Sequence, residues 1–210
     1  MQDKISFKIA DAVYKYYEAY EGNKRKAFGL INNLELKMTN RYAFVGQAVE
    51  LKLDGIENYD NYLYKLEVKK DNKTVYSTEY VNEFKNNYSV NEDGIYDVTY
   101  YIKQKDSENE YDDKISGNFI AFKLPEIKNL TIDTQKVYVD KPIIIKADKE
   151  NGSYELMDYT FEIYSEQNLI ASVSNNEGVL QYTPKSEGEY RVICYIKDKL
   201  SDSQFDDKKK

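Results

Sequence analysis

Asp93-Gly94-Ile95-Tyr96-Asp97-Val98 and Glu187-Gly188-Glu189-Tyr190-Arg191-Val192 are the two stretches whose reading decides the fold. Both read acid-Gly-x-Tyr-x-Val, and they lie 94 positions apart. The spacing continues outward from them. Lys103, Ser107, Tyr111, Asp112 and Asp113 recur 94 positions later as Lys197, Ser201, Phe205, Asp206 and Asp207. Tyr64-Lys65-Leu66-Glu67-Val68 recurs 95 positions later as Tyr159-Thr160-Phe161-Glu162-Ile163. Ile31-Asn32-Asn33-Leu34-Glu35-Leu36 recurs 96 positions later as Ile127-Lys128-Asn129-Leu130-Thr131-Ile132. The offset drifts by only two residues across the unit, which small loop insertions explain. Ordered matches of this kind mark an internal duplication.

A period of about 95 residues is too long for a solenoid repeat and has the size of a small sandwich domain. Within each unit the apolar residues alternate with period two, as in half-buried strands. Val49, Leu51 and Leu53 alternate with Glu50 and Lys52, and Tyr62, Tyr64, Leu66 and Val68 with Lys65, Glu67 and Lys69. Lys70-Asp71-Asn72-Lys73 reads as a hairpin loop before Thr74-Val75-Tyr76. Ser165-Glu166-Gln167-Asn168 does the same between Phe161-Ile163 and Leu169-Ile170. About seven strands per unit are expected.

The first repeat covers residues 31–124 and the second 126–210, with the boundary at Leu124-Pro125-Glu126. Pro125 has no N–H for a ladder and suits a linker. Residues 114–122 read as the last strand of the first repeat. Nothing similar follows Asp207, so the second repeat is expected to be cut short, lacking its last strand, or to have an open edge. Residues 1–30 form an N-terminal extension or the remnant of a preceding repeat, because Lys26-Ala27-Phe28-Gly29-Leu30-Ile31 resembles Ile120-Ala121-Phe122-Lys123-Leu124. A helical reading competes there: Phe7, Ala10, Val13, Tyr14, Tyr17 and Tyr20 recur at spacings of three and four.

A Gly just before a Tyr at the start of a late strand resembles immunoglobulin-like domains. There that Tyr forms a tyrosine corner, its hydroxyl bonding an upstream backbone group. Tyr96 and Tyr190 take this position, while Val98 and Val192 stand where an antibody domain has its cysteine. The chain is therefore read as all-β, two tandem immunoglobulin-like antiparallel β-sandwich domains with an N-terminal extension. Along the late strand Tyr96, Val98, Tyr100 and Ile102 face one way, as do Tyr190, Val192, Cys194 and Ile196. Cys194 thus replaces a core Tyr. It reads as a small buried hydrophobe rather than a reactive thiol. Tyr101 and Tyr195 point to the opposite face, either beneath a flanking strand or as an exposed aromatic strip.

Composition removes several kinds of chemistry. The 210 residues contain no His, which excludes His-based triads, His general bases and His-containing zinc sites. With one Cys there is no intrachain disulfide. The net charge of -7 argues against nucleic acid as a partner. Lys24-Arg25-Lys26 and Lys208-Lys209-Lys210 read as a solvated turn and a solvated end. No apolar run approaches the roughly 18 residues of a membrane span, so no integral membrane protein is expected. The first thirty residues lack the apolar stretch of a signal peptide, so the chain is either cytosolic or a piece of an exported protein.

Asp112-Asp113 and Asp206-Asp207 are adjacent acids pointing to opposite faces, a poor catalytic pair. Asp54, Glu57 and Asp60 share a loop, but their spacing matches no calcium loop. Neither a catalytic pair nor a cofactor or metal site is expected. Aromatic side chains on a β surface bind sugars by stacking on their C–H faces. Tyr59, Tyr62, Tyr154 and Tyr164, together with Tyr101 and Tyr195, are the candidate ligand-facing aromatics.

The repeats resemble the triple-tyrosine family of extracellular bacterial β-sandwich modules. The resemblance rests on Tyr64, Tyr96 and Tyr101, on Tyr159, Tyr190 and Tyr195, and on the Lys-x-x-x-Ser-x-x-x-aromatic-Asp endings of both units. Phe205 departs from it where the first unit has Tyr111. The family implies tandem arrays in surface or secreted proteins of Gram-positive anaerobes, or modules closing the propeller sensor of two-component regulators. The tandem arrangement is similar to the first context. The expectation is then a non-catalytic, extracellular spacer and adhesion module, with cell-wall polysaccharide, peptidoglycan or another surface protein as partner. The alternative is an accessory domain of an extracellular two-component-type sensor.

Overall fold

Period-two alternation becomes strands in both units of the computed structural model, which describes residues 31, 33–134, 136–153, 155 and 157–210. The readings made for residues 1–30, and for Tyr154, lie outside the described residues. The chain divides into two units between Phe122 and Lys123. The first contains β1 (Glu35–Met38), β2 (Tyr42–Phe44), β3 (Ala48–Asp54), β4 (Tyr62–Lys70), β5 (Lys73–Ser77), β6 (Lys85–Ser89), β7 (Gly94–Gln104) and β8 (Asp113–Phe122). A 3-10 turn, Tyr59–Asn61, precedes β4. The strands form two sheets, β1-β3-β6 and β2-β8-β7-β4-β5. All pairings are antiparallel except β2 with β8.

The second unit repeats this plan with β9 (Glu126–Ile132), β10 (Ile143–Glu150), β11 (Met157–Ser165), β12 (Asn168–Asn175), β13 (Val179–Tyr182), β14 (Tyr190–Asp198) and β15 (Asp207–Lys209). Its sheets are β9-β10-β13 and β12-β11-β14-β15. Where the second repeat was expected to lack its last strand, a strand of three residues is paired. Asp207–Lys209 pairs with Ile196, Tyr195 and Cys194, as Asp113, Lys114 and Ile115 pair with Ile102, Tyr101 and Tyr100 in the first unit. Lysines are poor strand formers by composition, but an edge strand keeps them in water while its backbone pairs.

Alternation places each core between its two sheets. Val49, Leu51 and Leu53 of β3 are buried with Tyr64, Leu66 and Val68 of β4 and Val98, Tyr100 and Ile102 of β7. In the second unit Ile143 and Ile145 of β10 are buried with Phe161 and Ile163 of β11 and Val192, Cys194 and Ile196 of β14. A fully buried side chain of this size contributes roughly 1.5–3 kcal/mol, and the clusters supply the drive that holds sheets without a disulfide. The Asp71-Asn72 turn joins β4 to β5 with both residues at positive φ, 51° and 62°, the twist that suits a two-residue hairpin.

The acid-rich loop before each closing strand is built from hydrogen bonds. Asp112 accepts from the Ser107 hydroxyl at 2.7 Å, the Asn109 amide at 2.7 Å and the Gln104 N–H at 2.8 Å. Asp206 likewise accepts from Ser201 Oγ and, at 2.6 Å, from the Asp198 N–H. The second acid of each pair ties down the start of its own unit. Asp113 accepts from the Ile31 N–H at 3.3 Å and Asp207 from the Ile127 N–H at 2.8 Å. Adjacent acids on opposite faces thus serve two local jobs in each repeat. Asp198, wholly buried, accepts from the N–H and hydroxyl of Ser153 at 2.6 and 2.8 Å, which satisfies its carboxylate.

Candidate functional site

β7 and β14 each carry two sets of tyrosines, one per face. On the inner face Tyr96 donates from Oη to the Glu92 carbonyl at 2.8 Å, and Tyr190 to the Ser186 carbonyl at 2.7 Å. Both acceptors lie four residues upstream, across the turn that enters the strand. Gly94 and Gly188 make that turn feasible, with φ of 135° and 142°, values that L side chains rarely adopt. Tyr96 is buried while Tyr190 is half-exposed.

On the outer face both units hold the same constellation. Tyr101 donates to Glu67 Oε1 at 3.3 Å, and Tyr195 to Glu162 Oε2 at 3.1 Å. The ring of Tyr111 lies 5.3 Å from that of Tyr101, and the ring of Phe205 lies 5.2 Å from that of Tyr195. Lys114 Nζ sits 5.7 Å from the Tyr111 centroid and Lys208 Nζ 5.8 Å from the Phe205 centroid, within cation–π range. The choice left open between packing beneath a strand and an exposed strip resolves into a combination. Tyr101 and Tyr195 are half-buried, and the rings leaning on them, Tyr111 and Phe205, are exposed.

Both phenols are pushed up from their ordinary value. Burial, followed by the negative charge of Glu67, pushes the Tyr101 hydroxyl above its ordinary value. Burial, followed by the hydrogen bond to Glu162, does the same for Tyr195. The Glu67 carboxyl is held below the usual carboxylate range, chiefly by its bond to Lys69, whose Nζ is 2.7 Å away. Each cluster therefore offers ring faces, a carboxylate acceptor and an ammonium donor over one patch of sheet.

The other candidate aromatics divide. Tyr164 joins the second cluster: its hydroxyl donates to Glu162 Oε2 at 2.8 Å, and the Arg191 guanidinium lies 4.7 Å over its ring. Tyr59 stacks on Phe84 at 4.1 Å and donates to the Leu53 carbonyl at 3.5 Å. Tyr59 and Tyr62 both pack against the first core and do not enter the outer patch. Glu67, Glu162, Lys114 and Lys208 were not foreseen as site residues. The signal was present, since each pair occupies equivalent positions of the duplication.

Cys194 is buried, and burial pushes its thiol up to about 12. Among the described residues, no group of three or more Asp, Glu, Cys or His side chains is placed to hold a metal ion. Asp54 instead bonds Lys37 and the Gly55 N–H. Among the described residues no helix is long and apolar enough to cross a membrane.

No family model matches the chain, and no curated protein matches it. Solved structures do. The three N-terminal domains of the bacteriophage RB49 highly immunogenic outer capsid protein Hoc superpose with a TM-score of 0.50 at 14% identity, over 84% of this chain and 67% of that one. The FN1–FN3 domains of chicken CNTN1 match at a TM-score of 0.34 and 8% identity, over 78% of this chain and 58% of that one. The fibronectin(III)-like modules of Clostridium thermocellum CbhA match at 0.36 and 10%, over 84% and 90%. The chain thus spans somewhat over half of the CNTN1 fragment. The sheet order, with the Hoc likeness beside it, defines the class: a protein of two tandem immunoglobulin-like β-sandwich domains.

Proposed function

We propose that the chain is a non-catalytic tandem module of a surface or secreted protein, a spacer whose outer faces bind cell-wall polysaccharide or peptidoglycan. The observation that carries this reading is the repeated outer cluster, Tyr101–Glu67–Tyr111–Lys114 and Tyr195–Glu162–Phe205–Lys208. Folding needs neither an exposed ring nor a lysine held over it, yet both units keep both. The ring faces suit the C–H faces of a sugar, the carboxylate accepts from its hydroxyls, and the lysine is placed for an anionic substituent. The resemblance to triple-tyrosine modules supports an extracellular setting.

Co-sedimentation with bacterial cell walls and insoluble glycans tests the reading. Saturable binding is expected, weakened by about tenfold in the Tyr101→Ala, Tyr195→Ala double variant, since losing each aromatic contact costs roughly 0.5–1.5 kcal/mol. Circular dichroism of the variant should remain native. Absence of binding, or binding that the double variant leaves unchanged, would remove the glycan reading and leave a spacer.

A further inference from the structure

The two outer clusters differ in how far each satisfies its own carboxylate. In the first unit both oxygens of Glu67 are engaged. Oε1 takes the Tyr101 hydroxyl at 3.3 Å and the Lys69 ammonium at 2.7 Å, and Oε2 takes the Thr74 hydroxyl at 3.3 Å. Thr74, Lys69 and Asp97 form one row across β5, β4 and β7. That row carries one charge of each sign, and the carboxylate beside it is filled by donors of its own sheet.

The second unit changes all three residues of the row. Leu169, Tyr164 and Arg191 stand there, across β12, β11 and β14. Tyr164 and Tyr195 both donate to Glu162 Oε2, at 2.8 and 3.1 Å. Leu169 has no group to donate, and among the described residues Glu162 Oε1 has no hydrogen bond. The exposed Arg191 side chain holds its guanidinium 4.7 Å over the Tyr164 ring. A row without net charge has become a row with one positive charge, next to a carboxylate oxygen that still accepts. The change lies between β12 and the β11-facing side of β14, away from β15.

We propose that the outer face of the second unit selects an acidic sugar, a ring bearing a carboxylate, and that Arg191 is the specificity-determining residue. This rests on the glycan-binding reading above and narrows it. A guanidinium stacked on an aromatic ring is pre-organised to grip a carboxylate through two parallel N–H donors. Glu162 Oε1 accepts a ring hydroxyl of the same sugar, and the Tyr195 ring lies beside both for its C–H face. Glu162 also disfavours the higher charge of a phosphate at this place. The first unit has Asp97 where the second has Arg191 and gives no such preference.

The test titrates the full chain with trigalacturonate and, separately, with neutral chitotriose, and follows amide shifts by NMR. Trigalacturonate is expected to move Tyr164, Arg191 and Tyr195 saturably, with a Kd about tenfold below that of chitotriose, and to leave Lys69 and Asp97 unmoved. Arg191→Gln, a change of an exposed side chain, should keep a native circular dichroism spectrum, lose the tenfold preference and leave chitotriose binding as it was. Equal affinity for the two sugars would overturn the acidic-sugar inference while leaving the glycan reading standing. A preference that survives in R191Q, or trigalacturonate bound as tightly by the first unit, would do the same. No shift with either sugar at either unit would overturn the glycan reading and this inference together.

Discussion

Tyr96 and Tyr190 occupy equivalent places, but their surroundings differ. Each hydroxyl donates to a carbonyl four residues back, while Phe119 covers the first ring and the second is half-exposed. A buried carbonyl left without its donor costs more than one that water reaches. Tyr96→Phe is therefore expected to cost about 1–3 kcal/mol, and Tyr190→Phe less than about 1 kcal/mol. Urea unfolding of the two variants measures the difference. Equal losses would mean that water is kept from Ser186 as well as Phe119 keeps it from Glu92. Cys194 makes the same point about context. A thiol raised to about 12 by burial is a filler, and the Tyr100 hydroxyl that it replaces bonds the Leu51 carbonyl at 3.0 Å.

At the scale of elements, the loop between β7 and β8 is held by one carboxylate. Bonds from Asn109, Ser107 and the Gln104 N–H hold the Asp112 carboxyl below the usual carboxylate range. A depressed folded value means that its contribution is complete above the ordinary value of about 3.9 and is lost as pH falls through the lower, folded one. The Gln104 amide proton resonance should accordingly move only below about pH 4, and Asp112→Asn should abolish that titration while loosening the loop at neutral pH. A Gln104 resonance that titrates in the Asn variant would assign the effect to another group. The paired acids, the serine and the aromatic of this loop form one device. It positions Tyr111 and Phe205 over the outer tyrosines and starts the closing strand in register.

For the whole molecule, each unit owns a core cluster, and the buried residues of the two clusters do not overlap. Phe119→Ala removes a fully buried ring and is expected to cost the first unit about 3–5 kcal/mol. Cys194, buried in the second core, reports on the second unit alone. In the native chain at pH 8 it should resist an aromatic disulfide reagent, and it should react once the second unit unfolds. In Phe119→Ala the first unit's melting should fall while Cys194 stays unreactive. Thiol labelling that rises together with the loss of the first unit would show that the two units fold cooperatively.

Duplication, strand positions and the inward faces were legible in the sequence because they depend on local periodicity. A strand's side chains alternate by two whatever lies beside it, so Tyr96, Val98, Tyr100 and Ile102 could be placed without knowing their neighbours. The roles of the outer residues were not legible in this way. Tyr101 meets Glu67, 34 positions away, only because β4 and β7 are adjacent, and Tyr59 turned to the core because Phe84 lies under it. Sequence marked an open edge in the second unit, but Asp207–Lys209 paired although composition argued against it, since backbone hydrogen bonds are indifferent to side chains at a solvated edge. The meeting of Tyr101 with Tyr111 and of Tyr195 with Phe205 belongs wholly to the tertiary structure: these rings touch only once the loop before each closing strand is held against the sheet.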